Sequence, residues 1–128
     1  MTTKPFEIYL ANLNPKKGHE VGKTRPVVVV HSELMQGILS TSIVCPLTTQ
    51  LSPATLLRVY IPLNESHTTG LTEPSDVIVD QIRSIDNQRL IKKLGELPSA
   101  QAEQLQNQYL ALLFDSLVKS RQYPCDAP

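Results

Sequence analysis

Four consecutive valines, Val27 to Val30, constrain the fold of this chain more than any other segment. Valine is β-branched and stiff, so a run of valines favours a strand, and an unbroken run indicates that the strand is covered on both faces. Pro26 stands immediately before the run. Because proline has no backbone N–H for the ladder, we expect Pro26 to open the strand and not to lie inside a central one. The segment predicts a buried strand over residues 26–30.

Short apolar runs elsewhere in the first two thirds of the chain predict further strands. They cover residues 7–10, 41–47, 56–62 and 77–84. The connections over residues 12–24 and 63–75 are long and contain glycine and proline, and loops of this length in a compact domain are often functional. Several short strands followed by a terminal helix indicate a small, strongly bent β-barrel or two-sheet core.

Two helical segments are expected after these strands. Asp86 is a candidate N-cap for a short helical turn over residues 87–94 that ends at Gly95. Ser99 is the expected N-cap of a longer helix, in which apolar residues recur at helical spacing and form one stripe. The stripe consists of Ala102, Leu105, Tyr109, Leu112, Leu113 and Leu117. We expect it to pack on the strands.

Length and charge limit the class of protein. A chain of 128 residues with formal net charge zero is expected to form one domain over residues 1–128, with a core of about residues 6–119, and not to wrap duplex DNA by bulk electrostatics. Cys45 lies in an apolar run and is expected in the core, whereas Cys125 lies in a polar tail. No disulfide framework, membrane span or secretion signal is indicated, so a cytoplasmic location is expected.

The ligand types of a metal site are scattered along the chain. His19, His31 and His67 have no metal-type spacing, and there is neither a Cys-x-x-Cys pair nor an acidic cluster. Phosphate-binding glycine motifs are also missing from the sequence. We therefore expect neither a metal nor a cofactor.

Positive charge concentrates in the connection before the valine strand. The cationic side chains are Lys16, Lys17, His19, Lys23 and Arg25. On charge alone a solvated surface loop is the favoured interpretation, with Glu20 held ionised by its neighbours. Arg25 favours a functional one, because a guanidinium fixed next to Pro26 at a strand start offers a planar fork that suits phosphate.

Two later segments carry polar groups at strand ends. Thr48 follows an apolar strand, and it could come near Arg25 if the two strands lie side by side. Asp80 shares its position in the alternation with Ile78 and Ile82, so we expect it to face the core. A buried carboxylate needs a partner. The favoured role for Asp80 is a structural hydrogen bond to a loop backbone. The alternative is a catalytic role as a general base.

Taken together, these segments resemble the MazF/PemK family of toxin endoribonucleases. The resemblance is carried by residues 18–30, 46–50 and 80–86, with Arg89, Leu90 and Gly95, in the family's order and spacing from about Glu7 to Phe114. It implies an SH3-like barrel, that is, a bent antiparallel sheet with a short helix and a C-terminal helix. It also implies a homodimer that cleaves single-stranded RNA, usually messenger RNA, without a metal, and a cognate antitoxin protein.

The resemblance assigns roles to individual residues. Arg25 matches the family's catalytic arginine and Thr48 the threonine paired with it, while Glu20 and His19 match loop positions implicated in catalysis or RNA contact. Asp80 matches an aspartate proposed as a base in the PemK branch, but that branch has an arginine where this chain has Ile78, so Arg25 with Thr48 remains the expected pair. The expected RNA contacts are Lys17, Lys23, Thr49, Gln50, Asp80 and Gln81.

Other functions are compatible with the same scaffold. One is a non-catalytic, gyrase-binding toxin of the CcdB type, and another is a degraded family member that retains antitoxin binding alone. The pairing of Arg25 with Thr48 favours the nuclease, because a pure binding module has no need of it. The sequence leaves open whether Glu20 or His19 acts as the base.

Overall fold

Seven strands and several short helices form the part of the chain that the computed structural model describes, which is residues 2–35, 37–52 and 57–113. The strands are β1 (Glu7–Asn12), β2 (Thr24–Val29), β3 (Thr41–Thr48), β4 (Arg58–Ile61), β5 (Ser75–Ile78), β6 (Arg83–Asp86) and β7 (Leu90–Glu96). The α-helices are α1 (Ser66–Thr69), α2 (Ser99–Gln104) and α3 (Ala111–Leu113), and the 3₁₀ turns are Glu33–Met35, Leu63–Glu65, Val79–Gln81 and Asn87–Arg89.

The strands form one antiparallel sheet that bends at β3. Its order is β4-β5-β3-β2-β1-β7, and β6 pairs with β3 outside this path. The first half of β3 pairs with β6 and its last two residues pair with β5, so the long strand passes from one neighbour to another. Within the described residues the two ends of the path do not meet. The prediction of a bent, mainly antiparallel sheet with a short helix and a C-terminal helix is confirmed, although this sheet is not closed.

The valine run lies at the centre of the sheet, as predicted. Val27, Val28 and Val29 are fully buried, and β2 pairs with β1 on one side and β3 on the other. The expectation for Pro26 is wrong, because this residue lies inside β2, opposite Leu10 of β1. The physical reason is that the β2–β3 register runs only from Val27 to Val29, so the ladder with β3 does not extend to the proline.

Both faces of the sheet are covered by apolar side chains. On one face, Ile8, Val28 and Cys45 pack in a cluster that includes Leu105 from the C-terminal helical segment. The other face carries a cluster of side chains from β1, β2, β3, β6 and β7, closed by residues of the connection between β1 and β2. This second cluster contains Tyr9, Ala11, Leu13, Val27, Val29, Val44, Ile85 and Leu90, with Val21 packed against it.

The strand predicted over residues 77–84 is interrupted. A 3₁₀ turn, Val79–Gln81, separates β5 from β6 and breaks the alternation of the strands. Val79 is consequently buried and Asp80 is exposed. The expectation that Asp80 faces the core is therefore wrong, and it failed because a turn does not preserve the two-residue period of a strand.

The helical turn predicted over residues 87–94 is also wrong in most of its length. A 3₁₀ turn covers only Asn87–Arg89, and the chain then forms β7, which pairs with β1. The predicted cap is confirmed, since the Asp86 carboxylate accepts a hydrogen bond of 2.8 Å from the backbone N–H of Gln88. A cap of this kind can begin a 3₁₀ turn as readily as an α-helix, so it did not decide the length of the element.

The longer helix begins at Ser99. Its N-cap is Pro98, so the prediction of Ser99 as the N-cap is wrong. The segment over residues 99–113 consists of α2, a π-helical stretch Leu105–Leu110 and α3. Packing of the stripe on the strands is confirmed for Leu105, which is fully buried, whereas Leu112 is 48% exposed. Leu117 lies outside the described residues.

Cys45 is buried in the core, as predicted. Burial, with a smaller contribution from the nearby Asp80 carboxylate, raises the pKa of its thiol to about 12. Cys125 lies outside the described residues. Among the helices that the structure describes, none is long and apolar enough to cross a membrane.

Candidate active site

The Arg25 side chain is fixed by two backbone carbonyls. Its Nε donates to the Gly22 oxygen at 2.8 Å, and its Nη1 donates to the Leu47 oxygen at 3.2 Å. The residue is half-buried, and burial lowers the pKa of the guanidinium below its ordinary value. An arginine nonetheless stays protonated in a protein at neutral pH. The result is an oriented positive charge at the start of β2.

Thr48 is the last residue of β3 and follows Leu47, whose carbonyl accepts from this guanidinium. The β2–β3 register places Val27 opposite Pro46, and continuing it by two residues sets Arg25 level with Thr48. The Thr48 Oγ1 accepts a hydrogen bond of 3.1 Å from the backbone N–H of Gln50. That bond uses an oxygen lone pair, so the hydroxyl hydrogen can donate to a ligand. The expectation that the two strands lie side by side is confirmed.

Arg25 and Thr48 line an open groove of about 1060 Å³. One wall comes from the connection between β1 and β2, and the other comes from the residues after β3 and before β5. Seven of the ten residues expected to act in catalysis or RNA binding line it. These are His19, Glu20, Lys23, Arg25, Thr48, Thr49 and Gln50. The remaining three, Lys17, Asp80 and Gln81, are not among its lining residues.

Several residues that line the groove were not predicted from the sequence as site residues. Lys16, Glu73 and Lys92 all line the groove. Lys16 belongs to the cationic cluster seen in the sequence, but charge alone cannot separate it from the adjacent Lys17, which is the predicted RNA contact. Lys92 comes from β7, where it lies opposite Leu10 of β1. It could not be found because residues 87–94 were predicted to be helical.

Hydrogen bonds hold the first wall at its base. The Asn14 Oδ1 accepts from the backbone N–H of Lys23 at 2.8 Å, which ties the beginning of the β1–β2 connection to its end. The Arg89 Nη1 donates to the carbonyl oxygens of Asn12, at 3.1 Å, and Asn14. The connection is therefore anchored both within itself and to the 3₁₀ turn before β7.

Gln81 holds the same wall further along. Its Oε1 accepts from the backbone N–H of Val21 at 2.8 Å, and its Nε2 donates to the backbone oxygen of His19 at 3.3 Å. A single side chain from the turn between β5 and β6 thus binds the backbone of the segment that contains His19 and Glu20. The sequence analysis expected Gln81 to contact RNA, and nothing in the local sequence indicated this contact with the loop backbone.

A buried ion pair holds the second wall. Asp76 on β5 is 4% exposed, and its Oδ2 lies 3.3 Å from the Arg58 Nη1 and accepts from the Ser52 N–H at 2.9 Å. The same Arg58 nitrogen donates to the Gln50 oxygen at 3.3 Å. These contacts attach the residues after Thr48 to the edge of the sheet. Neither Asp76 nor Arg58 was predicted from the sequence.

The groove has a mixed but net positive lining. Four permanently cationic side chains, Lys16, Lys23, Arg25 and Lys92, face two carboxylates, Glu20 and Glu73. Within residues 2–35, 37–52 and 57–113, no group of three or more His, Cys, Asp or Glu residues is placed to hold a metal ion. The arrangement can bind a phosphodiester through an oriented guanidinium and a hydroxyl.

The fold is the one seen in solved MazF structures. It is similar to a MazF structure from Deinococcus radiodurans, with a TM-score of 0.72 at 24% identity, over 88% of this chain and 97% of that one. It is also similar to the Mycobacterium tuberculosis toxin MazF-mt6, with a TM-score of 0.68 at 26% identity, over 85% and 96% of the two chains.

Sequence comparison identifies the family. The profile described as "PemK-like, MazF-like toxin of type II toxin-antitoxin system" matches residues 4–114. Endoribonuclease EndoA of Bacillus subtilis is 33% identical over 97 residues, which are 76% of this chain and 82% of that protein. Endoribonuclease MazF of Staphylococcus saprophyticus is 30% identical over 101 residues, or 79% and 82%. The chain belongs to the PemK-like, MazF-like toxin family.

Proposed function

We propose that this chain is the toxin of a type II toxin–antitoxin system and acts as a metal-independent, sequence-specific endoribonuclease on single-stranded RNA, in particular messenger RNA. The observation that carries the proposal is the Arg25 guanidinium, held by the Gly22 and Leu47 carbonyls beside Thr48 in an open groove. Family membership and two relatives named endoribonucleases support it.

Cleavage of RNA without a metal has three chemical requirements. A base removes the proton from a ribose 2′-OH, and the 2′ oxygen attacks the adjacent phosphorus. The negative charge that develops on the phosphoryl oxygens needs cationic or hydrogen-bonding groups. The bond from phosphorus to the 5′ oxygen then breaks, and that oxygen takes up a proton. The products are a 2′,3′-cyclic phosphate and a 5′-hydroxyl.

Arg25 and Thr48 meet the second requirement. The guanidinium has five N–H donors, and two nitrogens are already oriented by backbone carbonyls, so the remaining donors keep a fixed direction. The Thr48 hydroxyl adds a neutral donor beside it. Donors that are oriented before the substrate arrives need no rearrangement as charge develops, which is the main source of electrostatic catalysis.

The base in this proposal is Glu20 or His19. Both line the groove on the wall that faces Thr48, and Gln81 holds the backbone on either side of Glu20. A carboxylate or a neutral imidazole at this position can accept the 2′-OH proton. The pH profiles of Glu20→Gln and His19→Asn would assign the role to one of them.

Binding of the strand itself would use the charged walls. Lys23 lies just before β2, Lys92 lies on β7 opposite Leu10 of β1, and Thr49 and Gln50 offer hydrogen-bonding groups to base edges. Single-stranded RNA is read by such contacts to splayed bases. Lys17 extends the positive wall outside the groove lining, and Asp80 lies on the exposed turn next to Gln81.

The proposal includes the partners that the family implies. One solved relative is a MazE–MazF complex from Deinococcus radiodurans, and another is a mycobacterial endoribonuclease in complex with its cognate antitoxin. We accordingly expect this chain to bind a cognate antitoxin protein and to form a homodimer. It would act in the cytoplasm as a single domain with a core of about residues 6–119.

RNA cleavage in excess chelator tests the proposal. The purified protein is incubated with long single-stranded RNA, and new 5′ ends are labelled with polynucleotide kinase without prior phosphatase treatment. Discrete cuts with 5′-hydroxyl ends are expected. Arg25→Ala should lower the cleavage rate at least about 100-fold, the effect of deleting one donor to developing oxyanion charge. Arg25→Lys keeps the charge without the planar fork and should recover only part of the rate.

Lys4→Ala is the matched control, since it removes an exposed positive charge outside the groove and should cleave like the wild type. Intact RNA with the wild-type protein, or equal cleavage by the Arg25→Ala protein, would contradict the nuclease proposal. The first result would leave the non-catalytic toxin as the alternative.

A further inference from the structure

Residues 19–21 form the part of the first wall that carries both candidate bases, and their backbone is held from outside the loop. The flanking residues are Gly18, with a φ of +59°, and Gly22. Glycine on both sides gives this segment a large range of backbone conformations. Its position in the groove therefore depends on the contacts it makes with the rest of the protein.

Gln81 supplies two such contacts on either side of Glu20. The amide group accepts from the Val21 N–H at 2.8 Å and donates to the His19 oxygen at 3.3 Å. A carboxamide can accept and donate at the same time, as a protonated carboxyl group can, whereas a carboxylate can only accept. Both hydrogen-bonding functions of the side chain are thus used inside the protein, and Gln81 is not among the groove-lining residues.

We propose that Gln81 is a positioning residue that sets the placement of His19 and Glu20 toward the attacking 2′-hydroxyl of the RNA, and that it does not contact RNA. This inference rests on the proposed ribonuclease function. It replaces the direct RNA contact expected for Gln81 from the sequence. Catalytic groups must lie within a fraction of an ångström of their working positions, and a displacement of about 1 Å can cost about 100-fold in rate.

The first test is Gln81→Leu, which keeps approximately the volume and removes both hydrogen bonds. Single-turnover cleavage at a mapped site gives the rate at saturating enzyme and the enzyme concentration for half-maximal rate. We expect the saturating rate to fall about 10-fold to 100-fold and the half-maximal concentration to change less than about 2-fold, because the base is displaced while the RNA contacts persist. Amide hydrogen exchange at Val21 should become faster.

Gln88→Leu is the matched control. It makes the same substitution at an exposed glutamine outside the groove, and its cleavage should equal that of the wild type. Melting temperatures of both variants show that they are folded under the assay conditions.

A second variant, Gln81→Glu, provides a readout that general destabilisation would not move. The introduced carboxylate can accept from the Val21 N–H but cannot donate to the His19 oxygen until it is protonated. The ratio of its saturating rate to that of the wild type should therefore rise as the pH falls from about 7 to about 5. The ratio for Gln81→Leu should stay constant over the same range.

The outcomes separate this inference from the function on which it rests. Wild-type protein that leaves RNA intact would remove the proposed function and, with it, the catalytic role of Gln81. Active wild type with unchanged cleavage by Gln81→Leu would overturn only the positioning role. A higher half-maximal concentration at an unchanged saturating rate would also overturn it, since that pattern indicates a direct RNA contact.

Discussion

Individual side chains in this protein act mainly by holding backbone. Arg25 binds the Gly22 and Leu47 carbonyls, Gln81 grips residues 19–21, and the buried Asp76 fixes the N–H of Ser52. Apart from the Arg25–Gly22 bond, these contacts join segments that are distant along the chain. The geometry of the groove is thus set by a few polar groups that only the folded sheet brings together.

Glu7 shows the same behaviour outside the groove. Burial on its own raises the pKa of this carboxyl, but hydrogen bonds from Lys93, the Lys4 N–H and Tyr9, together with the Lys93 charge, outweigh it, and the pKa lies below its ordinary value. The Lys93 Nζ is 2.8 Å from Glu7 Oε2. A lowered carboxyl pKa stabilises the fold above the ordinary pKa, and this stability is lost as the pH falls through the folded-state value.

Glu7→Gln should therefore reduce the free energy of unfolding at pH 7 by about 1 to 2 kcal/mol, because it removes a charge from hydrogen bonds on a buried side chain. The difference from wild type should shrink as the pH is lowered from 7 toward 3, because the wild-type carboxyl gains protons as the pH approaches its lowered pKa. Urea denaturation at both pH values measures it. Glu96→Gln is the control, since the exposed Glu96 is 3.5 Å from the same lysine and should have a smaller effect. An equal difference at both pH values would contradict this account.

At the level of elements, the close approach of α1 to β7 depends on two glycines. A Cβ on Gly95 would overlap the backbone of Thr68 and Thr69, and a Cβ on Gly70 would overlap the Leu94 carbonyl. Gly70 also has a φ of +72°. Gly70 and Leu94 both line the groove. The shape of the groove therefore depends on how closely α1 packs on β7.

Gly95→Ala should lower the free energy of unfolding by about 2 to 3 kcal/mol, as expected for an atom inserted where backbone already lies. Chemical denaturation measures the change. Gly18→Ala makes a suitable comparison, because a Cβ there meets nothing within 4 Å and the residue has only its φ of +59° to accommodate. It should cost about 1 kcal/mol. A Gly95→Ala protein as stable as the wild type would show that α1 can move away from β7 without cost.

The elements that the sequence predicts well are those whose local pattern and tertiary role agree. Val27 to Val29 form the expected buried strand, and Arg25 and Thr48 are neighbours because β2 and β3 pair. β7 was missed because Ile91 and Lys93 are exposed and its bulged pairing with β1 disturbs the alternation of a strand. Because β7 was not predicted, Lys92 was missing from the predicted site. The prediction that Asp80 faces the core was wrong because the 3₁₀ turn at Val79–Gln81 interrupts the strand.

At the level of the whole molecule, Cys45 reports on the integrity of the core. It is fully buried, and its pKa of about 12 leaves almost no thiolate at neutral pH, which is the reactive form. In a Cys125→Ser protein, thiol labelling at pH 8 should be slower than labelling in denaturant by a factor that tracks the stability of the fold. Labelling of the native protein at the rate of the denatured one would contradict this burial.

The groove draws its residues from a long stretch of the chain, from Leu10 in β1 to Leu94 in β7. During translation Arg25 and Thr48 emerge before Gln81 and the β7 residues. A growing chain therefore cannot assemble the complete site until nearly all of the sheet has left the ribosome. A nascent chain that lacks β7 would therefore lack Lys92 and Leu94 of the groove lining.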